Sequence, residues 1–120
     1  MSGVLRFDAS LAAGVAIPNL LAGTFMERLG PRPEVMSVYG VVDDVAGLAG
    51  LVTCEIRMGN VIILDRGIIP LFTVRQGPDR DKHKLAVALG MPFDLCQVRL
   101  FNGTAATAAP YRFLIEQVAA

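Results

Sequence analysis

The side chains that most often carry catalysis are scarce in this chain. Its 120 residues include one histidine, His83. A Ser-His-Asp triad would have to recruit His83 from the most polar stretch of the chain, and neither Ser10 nor Ser37 lies in a Gly-x-Ser-x-Gly nucleophile elbow. We therefore interpret His83 as a surface residue and expect a protein that is not an enzyme.

Residues that could bind a metal ion are also scarce. A cupin-type metal site on a β-sandwich needs two or three histidines together with a carboxylate. Asp43 and Asp44 are adjacent carboxylates, but the Val, Ala, Gly and Leu that follow them give Ca²⁺ too few oxygen ligands. We expect this pair to lie where a strand ends in a turn. The sequence therefore predicts neither a cofactor nor a metal site.

The two cysteines bear on the redox state of the protein. Cys54 and Cys96 stand in apolar segments, and the N-terminal segment carries Asp8 and Pro18-Asn19, which is not typical of a signal peptide. Without a secretory signal, two buried free thiols are favoured over a disulfide. For the same reason Asn102-Gly103-Thr104, which matches a glycosylation acceptor, is interpreted as a turn.

The composition indicates one folded domain over residues 1–120. Apolar residues make up 53% of the chain and charged residues 18%, and the formal net charge is zero. A protein that binds nucleic acid through phosphate contacts normally has a basic excess, which is missing here. No apolar run of about eighteen residues escapes interruption, so we expect no transmembrane helix.

Short apolar runs bounded by Gly, Pro, Asn and Asp predict strands rather than helices. The clearest alternation is that of Cys54, Ile56 and Met58 with their polar neighbours. Gly59-Asn60 predicts a two-residue hairpin turn, and Arg66-Gly67 predicts a bulge or tight bend. The predicted strands are Val4–Phe7, Gly14–Ile17, Thr24–Arg28, Val35–Val42, Leu51–Met58, Val61–Asp65, Ile68–Thr73, Lys84–Leu89, Cys96–Phe101 and Tyr111–Val118.

These strands predict an all-β fold. Strands that are apolar on one side must cover that side, so we expect a single-domain antiparallel β-sandwich of the jelly-roll type with about seven to nine strands. Two longer connections join them: the charged stretch Arg75–Lys84 and the apolar stretch Gly103–Pro110.

Both connections and the segment Leu20–Met26 are candidate contacts with other subunits. Nine of the eleven basic residues are arginine, which suits interface ion pairs, although compositional bias explains this equally well. The charged stretch is otherwise a solvated loop. The candidate contact residues are Arg75, Asp79, Arg80, Asp81, Lys82, Lys84, Leu20, Phe25, Thr104 and Pro110.

A resemblance sharpens this expectation. The segments that carry it are GVAIPNLLAGTFMERLG, PEVMSVYGVVDDVAGLAGLVTCEIRMGNVIILDRGIIP and CQVRLFNGTAATAAPYRFLIEQV, over about residues 14–118. In the last two strands the pattern is Val98-Arg99-Leu100-Phe101-Asn102 followed by Tyr111-Arg112-Phe113. The chain resembles the small single β jelly-roll capsid proteins of tailless, sphaerolipovirus-like bacteriophages.

That resemblance implies a non-catalytic structural role in the virion. The partners it implies are other copies of the chain and other capsid proteins, with an inner membrane or the genome beneath the shell, and no small-molecule substrate. Such a protein would be made in the host cytoplasm and located in the virion. The resemblance fits a main shell subunit and a decoration subunit equally well.

The main alternative is a small carbohydrate- or ligand-binding β-sandwich module. Modules of this kind usually expose aromatic side chains that stack on sugars. Aromatic residues make up only 7% of this chain and tryptophan is missing, so the composition disfavours that alternative.

Overall fold

A computed structural model describes residues 3–72 and 77–120. Within these residues the chain forms nine strands and no helix. The strands are β1 (Gly3–Leu11), β2 (Ala16–Ile17), β3 (Glu34–Asp43), β4 (Val52–Met58), β5 (Val61–Ile68), β6 (Leu71–Phe72), β7 (Lys84–Gly90), β8 (Cys96–Asn102) and β9 (Ala109–Ala119).

Eight of these strands form two antiparallel sheets that pack face to face. The first sheet has the order β1-β9-β3-β7, and the second sheet has the order β2-β8-β4-β5. The short β6 adds to the end of β3 in parallel, beyond β7. This is the strand order of a jelly roll, in which the chain wraps as two Greek keys. The expected all-β jelly-roll sandwich is confirmed.

Local sequence explains the hairpin at the edge of the second sheet. Gly59-Asn60 joins β4 to β5 as predicted, with Gly59 at a φ of 60° that a residue without Cβ adopts freely. Further along β5 the register shifts between the pairs Ile56–Leu64 and Cys54–Gly67. Asp65 and Arg66 therefore both lie opposite Glu55, and the predicted bulge at Arg66-Gly67 is confirmed.

The predicted strand Thr24–Arg28 is wrong. This segment consists mainly of turns in the long connection between β2 and β3, and only Arg28 forms an isolated bridge, to Leu95. The Thr24 hydroxyl donates to the Leu21 carbonyl at 2.7 Å and accepts the Met26 N–H at 3.2 Å, which holds the turn. The apolar pattern of this segment resembles a strand because Met26, like the preceding Leu21, is fully buried in the core.

The core lies between the two sheets and is closed differently at its two ends. The first sheet contributes Phe113 and Ile115, and the second contributes Ile56 and Leu100. The connection from β2 to β3 closes one end with apolar side chains. These are Leu20, Leu21, Met26 and Leu29.

The opposite end is closed by hydrogen bonds of the buried Asn102. Its Nδ2 donates to the carbonyls of Leu11 and Thr107 at 3.0 and 2.9 Å, and its Oδ1 accepts the N–H and the hydroxyl of Thr104 at 3.0 and 2.8 Å. The interpretation of Asn102-Gly103-Thr104 as a turn is therefore confirmed. The Asn102 amide ties the connection after β1 to the connection between β8 and β9.

Candidate interaction surfaces

The one histidine is buried, so the prediction of a surface residue is wrong. His83 is only 6% exposed, and its Nδ1 accepts the Asp79 N–H at 2.8 Å. Its ring lies 4.5 Å from that of Phe72, and its carbonyl accepts the Gly40 N–H at 3.1 Å. His83 therefore anchors segment 77–83 to β3. A charged stretch in the sequence concealed this anchor.

The cysteines are buried and free, as predicted. They lie on β4 and β8, four register positions apart, because Cys54 pairs with Leu100 and Cys96 pairs with Met58. Burial raises the pKa of each thiol from 9.0 to about 12. Both thiols are therefore protonated at neutral pH and are poor nucleophiles. In the described part of the chain, no group of three or more His, Cys, Asp or Glu side chains could hold a metal ion.

Buried charges meet on the outer side of the first sheet. Asp43 is the last residue of β3, where a strand end was expected, and its carboxylate accepts a hydrogen bond from the Arg112 guanidinium. The Nε of Arg112 also lies 3.8 Å from Asp8 on β1. The sequence does not reveal this cluster, because 69 residues separate Asp43 from Arg112. Only the pairing of β3 with β9 brings them together.

Segment 77–83 lies against the same face. The Arg80 guanidinium pairs with Glu116 of β9 at 2.8 Å. A cavity of about 300 Å³ is lined by Pro78 together with Arg6, Arg112 and Leu114. Leu114 is buried although it faces outward from the sheet, because this part of the face is covered by the chain itself.

One part of the outer face of the first sheet, away from segment 77–83, is apolar. Val118 pairs with Val35 across β9 and β3, and Val35 pairs with Leu89 across β3 and β7. Paired residues share one face of a sheet, so these three side chains form a row, with Val87 beside it. We call Val35, Val87, Leu89 and Val118 the apolar strip. Its members Val87, Leu89 and Val118 are 47%, 59% and 51% exposed.

The turn after β7 extends this apolar character. Met91 and Phe93 follow Leu89 in the chain and are 56% and 61% exposed. Phe93 has a φ of 65°, which is rare for a bulky residue. Its N–H donates to the Gly30 carbonyl, and its own carbonyl accepts a hydrogen bond from Arg28. These two bonds hold an aromatic ring outward in a strained conformation.

The outer face of the second sheet combines ion pairs with two exposed isoleucines, Ile62 and Ile68. The Glu55 carboxylate lies between two arginines, 3.0 Å from the Nε of Arg57 and 3.4 Å from a terminal nitrogen of Arg99. Further along, the Arg66 guanidinium covers the ring of Phe101 at 3.7 Å. Both residues line a shallow cavity of about 310 Å³ that also contacts Thr53 and Leu51.

The candidate contact residues are spread over several surfaces. Arg75 lies outside the described residues. Asp79 holds a turn by accepting the Asp81 N–H at 2.8 Å, while Arg80, Asp81 and Lys82 are exposed. The remaining candidates are exposed Lys84 at the start of β7, half-exposed Phe25, partly buried Pro110 in β9, and Leu20 and Thr104, which are buried in the chain's own fold.

Comparison of the chain with protein-family models, curated proteins and solved structures gives no match. Among residues 3–72 and 77–120, no helix is long and apolar enough to span a membrane.

Proposed function

We propose that this chain is a virion structural protein: a non-catalytic single jelly-roll subunit that self-assembles, with other copies and other capsid proteins, into a viral shell or its decoration. The observation that carries this proposal is the strand order β1-β9-β3-β7 packed on β2-β8-β4-β5. Jelly rolls of this order recur in viral capsid proteins, lectins and cupins. Its location would be the virion, with a membrane or genome beneath the shell.

The side chains favour the capsid role over the other two. A cupin holds its metal with several histidines, whereas His83 is buried against Phe72 and already accepts a hydrogen bond. A lectin usually stacks sugars on an open aromatic face. Phe101 is the aromatic residue on the outer face of the second sheet, and the Arg66 guanidinium covers it.

The apolar strip supports assembly as well. A soluble monomer gains nothing from a row of half-exposed Val and Leu side chains beside an exposed, strained phenylalanine. A neighbouring subunit would bury that row, and contiguous exposed apolar surface commonly marks such contacts. Its position on a rigid sheet means that the contact needs no refolding of either partner.

The assembly state of the purified protein tests the proposal. We expect size-exclusion chromatography with light scattering to give species several times larger than the 12.8 kDa chain, and negative-stain images of those fractions to show rings or shells. A monomer at every concentration, alone and with coexpressed capsid partners, would contradict the proposal.

A matched pair of variants tests the role of the apolar strip. Leu89→Lys places a charge in the strip, whereas the control Ile62→Lys changes a similarly exposed residue, 46% against 59%, that pairs with Arg57 on the second sheet. We expect Leu89→Lys to raise the protein concentration needed for half-maximal assembly at least about tenfold. We expect Ile62→Lys to change this concentration by no more than about twofold. Equal effects would show that the strip is no specific contact.

A small-ligand-binding module is the second candidate, favoured by the cavity beside Phe101. Its volume of about 310 Å³ and its lining by Arg66, Thr53 and Leu51 would accept a small polar ligand. Binding on a glycan array that is lost in Arg66→Ala would favour this function. Assembly without glycan binding would favour the capsid role.

A further inference from the structure

The strand β1 is a long and regular edge of the first sheet. All nine of its residues pair with β9 in one register, from Gly3–Gln117 to Leu11–Ala109, without a shift. No other strand of the described chain pairs with its opposite side. Its N–H and C=O groups on that side are therefore a template on which a further strand can pair.

The other edges of the sandwich carry features that discourage pairing. β2 has only two residues and is followed by Pro18. β5 is interrupted by register shifts around Arg66. β7 begins at Lys84 and has a register shift near its start. Charges, prolines, bulges and short lengths are the usual protections of an edge strand. β1 is nine residues long with no proline or bulge, and its two charges, Arg6 and Asp8, have opposite signs.

The side chains of β1 are also incompletely covered. Leu5 and Phe7 point to the interior and pack against the core, but both stay partly exposed because no strand lies beyond them. On the outer face, Arg6 is exposed and the Asp8 side chain is 76% exposed. These two opposite charges are one register step apart on the same face.

We propose that β1 pairs antiparallel with β1 of a second copy, about a two-fold axis through Phe7. Arg6 of each copy then lies opposite Asp8 of the other, and Val4 lies opposite Ser10. The inference rests on the proposed assembly function and names one of its contacts. It joins the two first sheets into one continuous eight-stranded sheet, which is β-augmentation between identical subunits.

The charges select this register among the alternatives. Inward and outward side chains must stay on their own faces, so the register can change only in steps of two residues. Centring the axis on Arg6 places two arginines opposite each other, and centring it on Asp8 places two aspartates opposite each other. Only the axis at Phe7 forms two opposite-charge pairs, and it also brings the two Phe7 rings together at the interior edge.

Charge exchange tests the pairing. Arg6→Asp places a carboxylate opposite Asp8 of the second copy, and Asp8→Arg places a guanidinium opposite Arg6. We expect each single variant to weaken the dimer at least about tenfold at low salt, because two attractive pairs become repulsive. The double variant Arg6→Asp with Asp8→Arg restores both pairs, and we expect its dissociation constant to return within about threefold of the unmodified chain.

Sedimentation equilibrium measures these constants, and thermal unfolding of each variant controls for folding, since Asp8 also lies 3.8 Å from Arg112. Weakening in both single variants with rescue in the double variant supports the pairing. Assembly that is unaffected by all three variants would overturn the pairing and leave the proposed function standing. A chain that never associates would overturn both.

The register has an independent measurement. A spin label on Ser10→Cys reports the separation of two labels across the axis, since the raised pKa of Cys54 and Cys96 and their burial keep them unlabelled. Six residues along antiparallel strands predict a backbone separation of about 20 Å. A value differing by about 7 Å or more would overturn the axis at Phe7.

Discussion

The outer faces of the two sheets differ in how their side chains are shielded from solvent. On the second sheet, charged side chains neutralise one another, with Glu55 between Arg57 and Arg99. On the first sheet, segment 77–83 covers part of the face through Arg80 and His83, and the apolar strip is left open. The second face has its charges in ion pairs beside two exposed isoleucines, Ile62 and Ile68. The first face is shielded from solvent only where segment 77–83 folds over it.

This difference separates stability from assembly in the molecule. A covered face behaves energetically like a second small core, so changes there affect folding. The ion pairs of the second sheet contribute less, because both arginines are 37% exposed although Glu55 itself is buried. The apolar strip contributes little to the folding of the monomer and most to any contact that buries it. The effects of substitutions on the two sheets should therefore differ in magnitude and in whether they change folding or assembly.

The largest expected effect is on the inner side of the first sheet. Phe113 is 1% exposed and packs directly against Gly40, where an added Cβ would lie only 2.7 Å from the ring. Phe113→Ala leaves a cavity that this close packing cannot refill, so we expect it to lower the free energy of unfolding by about 3–5 kcal/mol. Urea denaturation followed by circular dichroism measures the change.

The matched control lies on the outer face of the second sheet. Phe101→Ala removes the same atoms from a ring that is only partly buried and that contacts Arg66. We expect a loss of about 1 kcal/mol. Equal losses at Phe113 and Phe101 would contradict the assignment of inner and outer faces.

The sequence was sufficient where a strand is amphipathic and its turn is local. The alternation in β4, β8 and β9, the hairpin at Gly59-Asn60 and the bulge at Arg66-Gly67 were all predictable. β1 was predicted only as Val4–Phe7, because Asp8 and Ser10 interrupt the apolar pattern. On the outer face of an edge strand such polar residues cost nothing, so β1 continues to Leu11.

The second prediction concerns the buried charges of the first sheet. The side chains of Arg112 and Asp43 are 13% and 6% exposed. Arg112→Met keeps the side-chain length but removes the hydrogen bond that the guanidinium donates to the Asp43 carboxylate. We expect a loss of about 2–3 kcal/mol in the free energy of unfolding, below that of a fully buried pair because the Arg112 side chain is still 13% exposed. Thermal and urea unfolding both report it.

Arg57→Met is the control on the second sheet. The Arg57 side chain is 37% exposed, and Glu55 keeps Arg99 after the change. We expect a loss below about 1 kcal/mol. If Arg112→Met were as mild as this control, the covered part of the first face would not be a second core.

The burial of the Asp43–Arg112 pair and of His83 could not be predicted from the sequence, for a physical reason. Their burial depends on which strands pair and on where segment 77–83 folds back, and both are long-range properties. A run of charged residues predicts a solvated loop on composition alone. The contacts of His83 with Phe72 and Gly40 reverse that prediction for one residue within the run.

The third prediction sharpens the polar description of the second sheet. Glu55→Gln keeps an oxygen that can accept from Arg57 and removes the negative charge between the two arginines. We expect a loss of about 1 kcal/mol at low salt, and a smaller loss at about 0.5 M salt, where the Debye length falls to a few ångströms. Urea denaturation at the two salt concentrations measures both values. A loss that does not change with salt would indicate that hydrogen bonding, not charge, holds this face.

The smallest expected effect is at Arg66, where two contributions oppose each other. Arg66 has a φ of 55°, in the left-handed region, where glycine is favoured by about 1 kcal/mol over other residues. Its guanidinium also covers Phe101 at 3.7 Å, a cation–π contact of about 0.5–1 kcal/mol at a partly exposed site. Arg66→Gly removes both the strain and the contact, so we expect a net change within about 0.5 kcal/mol.

Comparison with a second variant separates the two contributions. Arg66→Ala keeps the strain and removes the contact, so we expect it to be less stable than Arg66→Gly by about 1 kcal/mol in urea denaturation. If Arg66→Ala and Arg66→Gly were equally stable, the bulge would relax without its positive φ. The outer face of the second sheet would then owe its shape to the ring of Phe101 rather than to the backbone beneath Arg66.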